Sequence, residues 1–439
     1  MRTNAFRRGL APALAALAAV FVVASPAAAG NGHFIHGVGA VQSSMGGVGV
    51  ALPVGTLGAL YMNPAMLAEV EGHEFGFSIE LVDSKPEVES EVQTPFGPFV
   101  GRTENQSDVA VIPSFGWARG IGGGRRVALA MGVLSLAGFG TDYPQDSTNP
   151  ILLPQPAGFG GVYSSYRFMK IPFAVAWRPA DGIALGVSLN AGWASLAAQP
   201  FGATAPDCSG PTRCFFPDVS EDSAFGYGVQ LGALWTPAPA WSFGASYASE
   251  QKFEDFSWNS QVANPGLPSF GTGRQVRFGL DVPQTFAAGI GWTPSERFRA
   301  GLDGRWIGYS DTEGFESGFG PDGVARGLGW EDIVIVALGA EYLATPRLAL
   351  RAGWNRSESA VPDASAFLNV GSPAVFEDHL TLGLGWQLSP GWTVDLGFYR
   401  GFESDVTGSF LTPAGPVPGT RVTNEMEVDS GLATITFRM

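Results

Sequence analysis

Lysine is nearly missing from this chain: Lys85, Lys170 and Lys252 are three of only 25 basic residues, against 40 acidic ones. A net charge of −15 leaves no basic footprint for nucleic acid and no polybasic patch for a membrane surface. Histidine is almost as scarce, with His33, His36, His73 and His379 the whole set. The "HFIH" pair is spaced i,i+3 with no carboxylate close by, which is no metal site. Cys208 and Cys214 in "CSGPTRC" have no histidine beside them, so they cannot complete a tetrahedral metal shell. No serine can be matched in depth to a histidine for hydrolysis. The glycine run "GFGPDG" (318–323) lacks the following helix that a dinucleotide site requires and reads as a turn. Neither catalysis nor a cofactor is expected.

Long apolar runs are missing too, with one exception. Residues 1–29 carry Arg2, Arg7 and Arg8, then "GLAPALAALAAVFVVAS", then the small residues "AAA", the order of a secretory signal peptide. Nothing later approaches the roughly 18 apolar residues of a spanning helix. The chain is therefore expected to be exported, and to enter a membrane, if at all, as strands. Export also predicts a disulfide between Cys208 and Cys214.

What the chain does have is glycine (61), aromatic residues (12%) and alternation. In "GWTVDLGFYRG" Trp392, Val394, Leu396 and Phe398 share one face, opposed to Thr393, Asp395, Gly397 and Tyr399. Period-2 alternation sets one face in an apolar medium and the other in a polar or crowded space. About fourteen such segments follow between 73 and 439, near 73–83, 108–118, 126–136, 165–178, 182–197, 223–236, 240–256, 273–293, 297–311, 330–344, 347–358, 376–389, 392–404 and 423–439. Short connections such as "PAD", "ATP" and "SPG" alternate with long ones. Trp117, Trp177, Trp235, Trp241, Trp292, Trp386 and Trp392 flank the short turns, as an aromatic girdle would. The pattern predicts an all-β protein: an antiparallel transmembrane β-barrel of about fourteen strands in an outer membrane.

Residues 30–72 differ. They are too apolar for a free tail and too rich in glycine for a separate domain. In "YMNPAMLAEVEG" Asn63 is a good N-cap and Pro64 occupies a tolerated first-turn position. Short capped helices would satisfy this backbone inside a barrel, as an N-terminal plug, or hatch.

The stretch "GVGAVQSSMGGVGVALPVGTLGALYMNPAMLAEVEG" resembles the plug of the FadL/TodX family of outer-membrane transporters of hydrophobic compounds, with Asn63, Pro64 and Ala65 matching that family's asparagine–proline–alanine. "FGYGVQLGALWTPAPAWSFGASYAS", "VPQTFAAGIGWTPSERFRAGLDGRWIGYSD" and "ALGAEYLATPRLALRAGWNRSESAVPD" extend the likeness over nearly the whole mature chain. The resemblance implies a monomeric fourteen-stranded barrel with an internal hatch. Its ligand would be caught at outer loops, held in the lumen and released sideways into outer-membrane lipid. Long-chain fatty acids are the favoured ligand; monoaromatic hydrocarbons or alkanes are the alternative, and a general diffusion porin a more distant one.

Candidate residues follow. Ile151, Leu152, Leu153, Phe159, Phe215 and Phe216 put apolar surface on two long loops, as an outer capture groove would. Pro113 interrupts a strand and is expected opposite Met131–Gly132; with Gly132 it marks a candidate lateral gate, since the family's opening lies at a kink in its third strand. Alternation points Arg299, Asp303, Arg305, Glu341, Arg351 and Asp395 inward. They are either a salt-bridge brace or, through Arg305 or Arg351, the partner of a ligand carboxylate.

Overall fold

The computed structural model describes residues 31–122, 127–210 and 213–439; the predicted signal peptide lies outside them. Fourteen antiparallel strands form the wall: β1 (His73–Thr94), β2 (Ala110–Ile121), β3 (Val127–Tyr143), β4 (Val162–Ala180), β5 (Ile183–Gln199), β6 (Val219–Ala238), β7 (Trp241–Ala248), β8 (Gln284–Ser295), β9 (Phe298–Gly308), β10 (Ile333–Thr345), β11 (Leu348–Ser357), β12 (Asp378–Ser389), β13 (Trp392–Gly408) and β14 (Thr420–Arg438). Each pairs with its sequence neighbour, and β14 pairs with β1 to close the cylinder. Closure leaves no strand at an edge of the sheet, which is how strands satisfy their backbone in lipid. Outward residues are apolar and exposed, as with Phe77, Ile79 and Leu81, while Ser78 and Glu80 between them are buried inside. Trp177, Trp235, Trp241, Trp386 and Trp392 are exposed on the outer face near the short turns.

Several boundaries depart from the periodicity. The stretch 84–107, expected as loop, continues β1 to Thr94 and turns back through Gly97–Glu104 as a ribbon. Alternation persists there, with Glu87, Glu89 and Glu91 alternating with buried Val88 and Ser90, but charge has replaced apolar side chains on the outer face. Those outer charges pair across strands: Lys85 with Glu427, Arg421 with Glu89, Arg400 with Asp429. The segment expected at 273–293 is two strands. Gly273–Phe278 pairs with Phe256–Gln261 in a loop hairpin, and β8 begins only after Pro283, which has no N–H for a ladder. Strand β7 stops at Ala248, short of the expected 256. "GFGPDG" lies in a turn closed by the Phe319–Ala325 bridge.

Residues 31–72 lie inside the wall. They contain helices α1 (Ala40–Ser43) and α2 (Gly55–Met62) and the 3₁₀ segment Pro64–Glu69. Asn63 caps that last segment by accepting from the Ala65 N–H (3.0 Å), and its amide donates to Val50 O (2.7 Å) and to Ala233 O of β6 (3.1 Å). Helix α2 has no side-chain cap of its own. The wall supplies both ends instead. Glu74 accepts from Thr56 N–H (2.7 Å) and its hydroxyl (2.8 Å) at the N-terminus, and Lys170 donates to Leu60 O (3.1 Å) at the C-terminus. This charge order matches the helix macrodipole.

What admits the hatch is a belt of inward glycines. A Cβ at Gly232 would lie 2.1 Å from Asn63 Oδ1, at Gly244 1.9 Å from Val50 O, at Gly339 2.1 Å from Met45 O and at Gly353 2.2 Å from Gly46 N. Backbone of the hatch therefore rests directly on backbone of the wall. Replacing Gly244 with valine should unseat the hatch, at a cost of about 1–3 kcal/mol or more for overpacking. The barrel itself should keep its heat-modifiable gel mobility, and ion conductance in planar bilayers should rise. Unchanged conductance would show that the hatch tolerates a side chain there.

Candidate ligand path

The outer loops enclose a cavity of about 440 Å³ whose lining, among the described residues, contains no charged side chain. Phe159, Phe216, Phe201, Phe278, Phe319 and Phe367 supply most of its aromatic surface, with Leu328, Leu411 and Val370. Of the six loop residues singled out from the sequence, Phe159 and Phe216 line it, in contact with each other at 5.8 Å between ring centroids. Ile151 and Leu152 do not. They are 2% and 0% exposed, in a 3₁₀ turn packed under the β1 ribbon, and so are loop core. Leu153 and Phe215 are half-buried and outside the lining. Cys208 and Cys214 are joined by a disulfide in the loop after β5, beside the ion pair of Asp207 with Arg274 (2.8 Å). In the loop after β3, Thr148 and Thr103 donate to Asp146 and hold its carboxyl below the usual range.

Phe139 carries the cavity into the lumen. Its ring stacks on Tyr166 at 5.1 Å, and Tyr166, Tyr309, Phe315 and Trp330 surround the ring of His33, each with its centroid within 5.7 Å. The start of the hatch thus occupies an aromatic chamber. Sequence reading missed it, because its members come from β3, β4 and the loop after β9.

Beside that chamber the wall is broken. The β2–β3 ladder runs from Ile121↔Val127 to Ser114↔Leu134 and stops. Beyond it β2 stays with β1 up to Val82↔Ala110, while β3 follows β4 up to Tyr143↔Val162. Pro113 stands at the separation, and Ser135 Oγ donates to its carbonyl (2.8 Å). Pro113 is thus level with Ser135, and Gly132 pairs with Gly116, three residues from the expected register, because β2 runs to Ile121 before turning rather than to 118. Gly132 faces the hatch, near Leu60. The far margin is closed by Gln106 N–H to Asp142 O (2.8 Å) and Asp142 N–H to Asn105 Oδ1 (2.6 Å). Within the gap the hatch itself pairs with β3. Ile35 N–H donates to Leu136 O (3.0 Å) and Gly138 N–H to His33 O (3.0 Å), around a Phe34–Ala137 bridge.

The inward charges divide into two sets. Arg299 and Arg351 both bind Glu341 (2.9 and 2.6 Å), and Arg351 also binds Asp395 (2.8 Å) across the space left by Gly385. That is a brace at the short-turn end, and Arg351 has both partners filled. Asp303 accepts from Gly49 N–H (2.6 Å) and Val50 N–H (2.8 Å), anchoring the hatch. Arg305, 7% exposed, donates from Nη1 to Tyr61 Oη (2.7 Å), and its buried Nε has no partner. Lys170, 3% exposed, donates to Leu60 O and to Gln230 Oε1 (2.5 Å). Among the described residues neither cation has a carboxylate at ion-pair distance. Lys170 escaped the sequence reading because it lies in "RFMKIPF", where alternation is less regular than on β9 or β11.

A closed fourteen-stranded barrel with its N-terminal segment folded inside, an outer apolar cavity and a broken wall defines an outer-membrane transport protein rather than an open pore. Residues 13–439 match the sequence profile of the family described as "Outer membrane protein transport protein (OMPP1/FadL/TodX)", and the chain belongs to that family. The fold is that of a Pseudomonas aeruginosa FadL homologue (15% identity, TM-score 0.71, covering 93% of this chain and 99% of that one). The Pseudomonas putida toluene transporter TodX (16%, 0.67, 92% and 99%) and the Ralstonia pickettii toluene transporter TbuX (15%, 0.65, 92% and 99%) share it. No curated protein sequence matches the chain. The protein therefore resides in the outer membrane and moves hydrophobic compounds, as its family does.

Phe216→Asp should remove apolar burial from the cavity and weaken capture by about 2 kcal/mol, roughly 30-fold in Kd. Leu152→Asp should instead lower the yield of folded barrel, because an unpaired charge would be buried. Binding titrations and heat-modifiability of the two variants check the contrast; equal loss of affinity in both would make Leu152 part of the groove.

Proposed function

We propose that the protein takes up long-chain fatty acids, which enter the outer apolar cavity, pass Phe139 into the lumen and leave through the wall between β2 and β3. The observation that carries this reading is the gap above Ser114↔Leu134, filled by residues 33–35 of the hatch through two backbone hydrogen bonds, from Ile35 N–H and to His33 O. An apolar chain gains roughly 25 cal/mol per Å² on leaving water. A route from apolar cavity to aromatic chamber to lipid keeps that gain throughout, whereas a watery pore would forfeit it. The Asn63–Pro64–Ala65 turn fixes the hatch that closes this route; Pro113 borders it, and Gly132 lies two pairs below the break in the intact ladder.

Arg305 and Lys170 support an acid as the ligand. Buried cations without carboxylates are costly, and a ligand carboxylate would offset that cost as a charge-assisted pair. Arg351, already doubly paired, is the weaker candidate. The uncharged lining of the outer cavity favours a second reading, a neutral hydrocarbon such as a monoaromatic or an alkane, for which the two cations serve only to hold α2.

Cysteines at Phe34 and Ala137 should cross-link under oxidation and stop uptake, and reduction should restore it. Uptake that continues in the cross-linked protein would remove the lateral route. Binding of radiolabelled oleate and toluene to the purified protein separates the ligands: saturable oleate binding supports the acid, and toluene uptake without it supports the hydrocarbon.

A further inference from the structure

Two hairpins stand between the outer cavity and water. One, in the loop after β9, is closed by the Phe319–Ala325 bridge, with Gly320 N–H donating to Val324 O (2.8 Å). The other, in the loop between β13 and β14, pairs Leu411–Thr412 with Gly415–Pro416, and Thr412 Oγ1 donates to Gly415 O (3.0 Å). Phe319, Val324 and Leu411 line the cavity, while Pro321, Asp322 and Ala414 on the same hairpins are exposed. The two tips meet where Gly323 faces Pro413: a Cβ on Gly323 would lie 3.2 Å from Pro413 Cγ.

The bases of both hairpins are fixed. Leu328 N–H donates to Gly314 O (3.0 Å), and Asn369 Nδ2 to Leu328 O (2.8 Å). Phe410 packs on Phe367 with ring centroids 5.1 Å apart, and its N–H donates to Thr420 Oγ1 (3.0 Å). The tips are not fixed. Among the described residues, no hydrogen bond or ion pair joins 319–325 or 411–416 to another part of the chain. Other stretches of the lining are tied across loops: Phe216 N–H donates to Gln155 Oε1 (2.9 Å), Arg274 Nη2 to Thr204 Oγ1 (3.3 Å), and Ser164 Oγ to Gly371 O. Local opening costs least where few bonds hold a segment. Here the bonds of each tip are internal and would travel with it, so parting the tips leaves no backbone group unpaired.

We propose that the seam between these two hairpin tips is the entrance by which hydrophobic compounds reach the outer cavity, the tips swinging apart on their fixed bases. Gly318 (φ 86°) and Gly419 (φ 73°), just outside the two hairpins, occupy the left-handed region that glycine enters without penalty, and they supply hinge positions. An apolar molecule arriving at the seam replaces the contact between the tips with contacts of its own. A polar solute gains nothing by parting them. The inference rests on the outer cavity being the capture site; it holds for an acid and for a neutral hydrocarbon alike.

The experiment joins the tips. A Cβ on Gly323 would stand 3.7 Å from Pro413 Cβ, within the roughly 3.5–4.5 Å that a disulfide spans. The double variant Gly323→Cys/Pro413→Cys is oxidised in the full-length protein, heat-modifiability confirms the fold, and loading and release of labelled oleate and labelled toluene are timed. A closed entrance slows both directions alike, so both rates should fall by about tenfold or more with Kd unchanged. Reduction should restore them, with the parent protein reduced in the same way as the control for the native Cys208–Cys214 bridge. Pro413→Gly, on an exposed tip, should instead raise both rates by about threefold through the loss of a few van der Waals contacts. Cross-linked protein that loads and releases at the parent rate would overturn the entrance, and so would a pair that fails to cross-link or a Pro413→Gly variant with parental rates. A cross-link that raises Kd while leaving the loading rate alone would also overturn it, since the seam would then be wall of the site. Phe216→Asp judges the underlying reading separately: unchanged affinity for both ligands would remove the outer cavity as the capture site, and the entrance with it.

Discussion

The structure depends on contact between two backbones. A barrel of this size has a lumen to fill, and this chain fills it with its own N-terminal segment, pressed against wall positions that have no side chain. At Gly232, Gly244, Gly339 and Gly353 the hatch lies where a Cβ would stand, within about 2 Å of main-chain or side-chain atoms. The closeness brings the plug within hydrogen-bonding reach of the wall: Asn63 donates to Ala233 O, and Asp303 accepts from two successive N–H groups at Gly49 and Val50. Burial of polar backbone is thereby satisfied without a ladder, which small residues on both partners make possible.

This arrangement explains why the helical part of the plug was only half visible in sequence. Asn63 and Pro64 carry a local signal, and the capped turn lies where they predict, as a 3₁₀ segment. Helix α2 carries none, since Val54 and Gly55 are poor caps and its ends are completed by Glu74 and Lys170, 18 residues downstream of Thr56 and 110 residues downstream of Leu60. The wall was legible for the opposite reason. Alternation between lipid and lumen is written into every strand, so the strand count and the outward face of β13 follow from sequence. Register was not, because nothing local fixes how far β2 and β3 run before they turn. Loop residues failed similarly: Leu152 and Phe216 are alike in composition, and only tertiary packing decides that one is core and the other lines a cavity.

Charge inside the lumen is allocated by depth. Near the short turns, arginines and carboxylates occur together on facing positions of β9, β10, β11 and β13 and neutralise one another. Further in, the carboxylate of Asp303 and the cations Arg305 and Lys170 are turned toward the plug rather than toward each other. Mutual pairing would have freed the plug from the wall. Each bond to hatch backbone or to Tyr61 therefore serves two ends, holding a segment in place and keeping a charge from being wholly uncompensated.

The extended part of β1, with its partners β13 and β14, has a consequence of its own. From Asp83 to Thr94 the strand adds twelve residues beyond the apolar band, about 40 Å of length at roughly 3.3 Å per residue. Their outward carboxylates, outnumbering the basic residues among them, would be repelled by the phosphate-rich surface of an outer leaflet. The sheet is thus a stalk that cannot lie down. It sets the loops that line the apolar cavity beyond the apolar band of the wall rather than level with it.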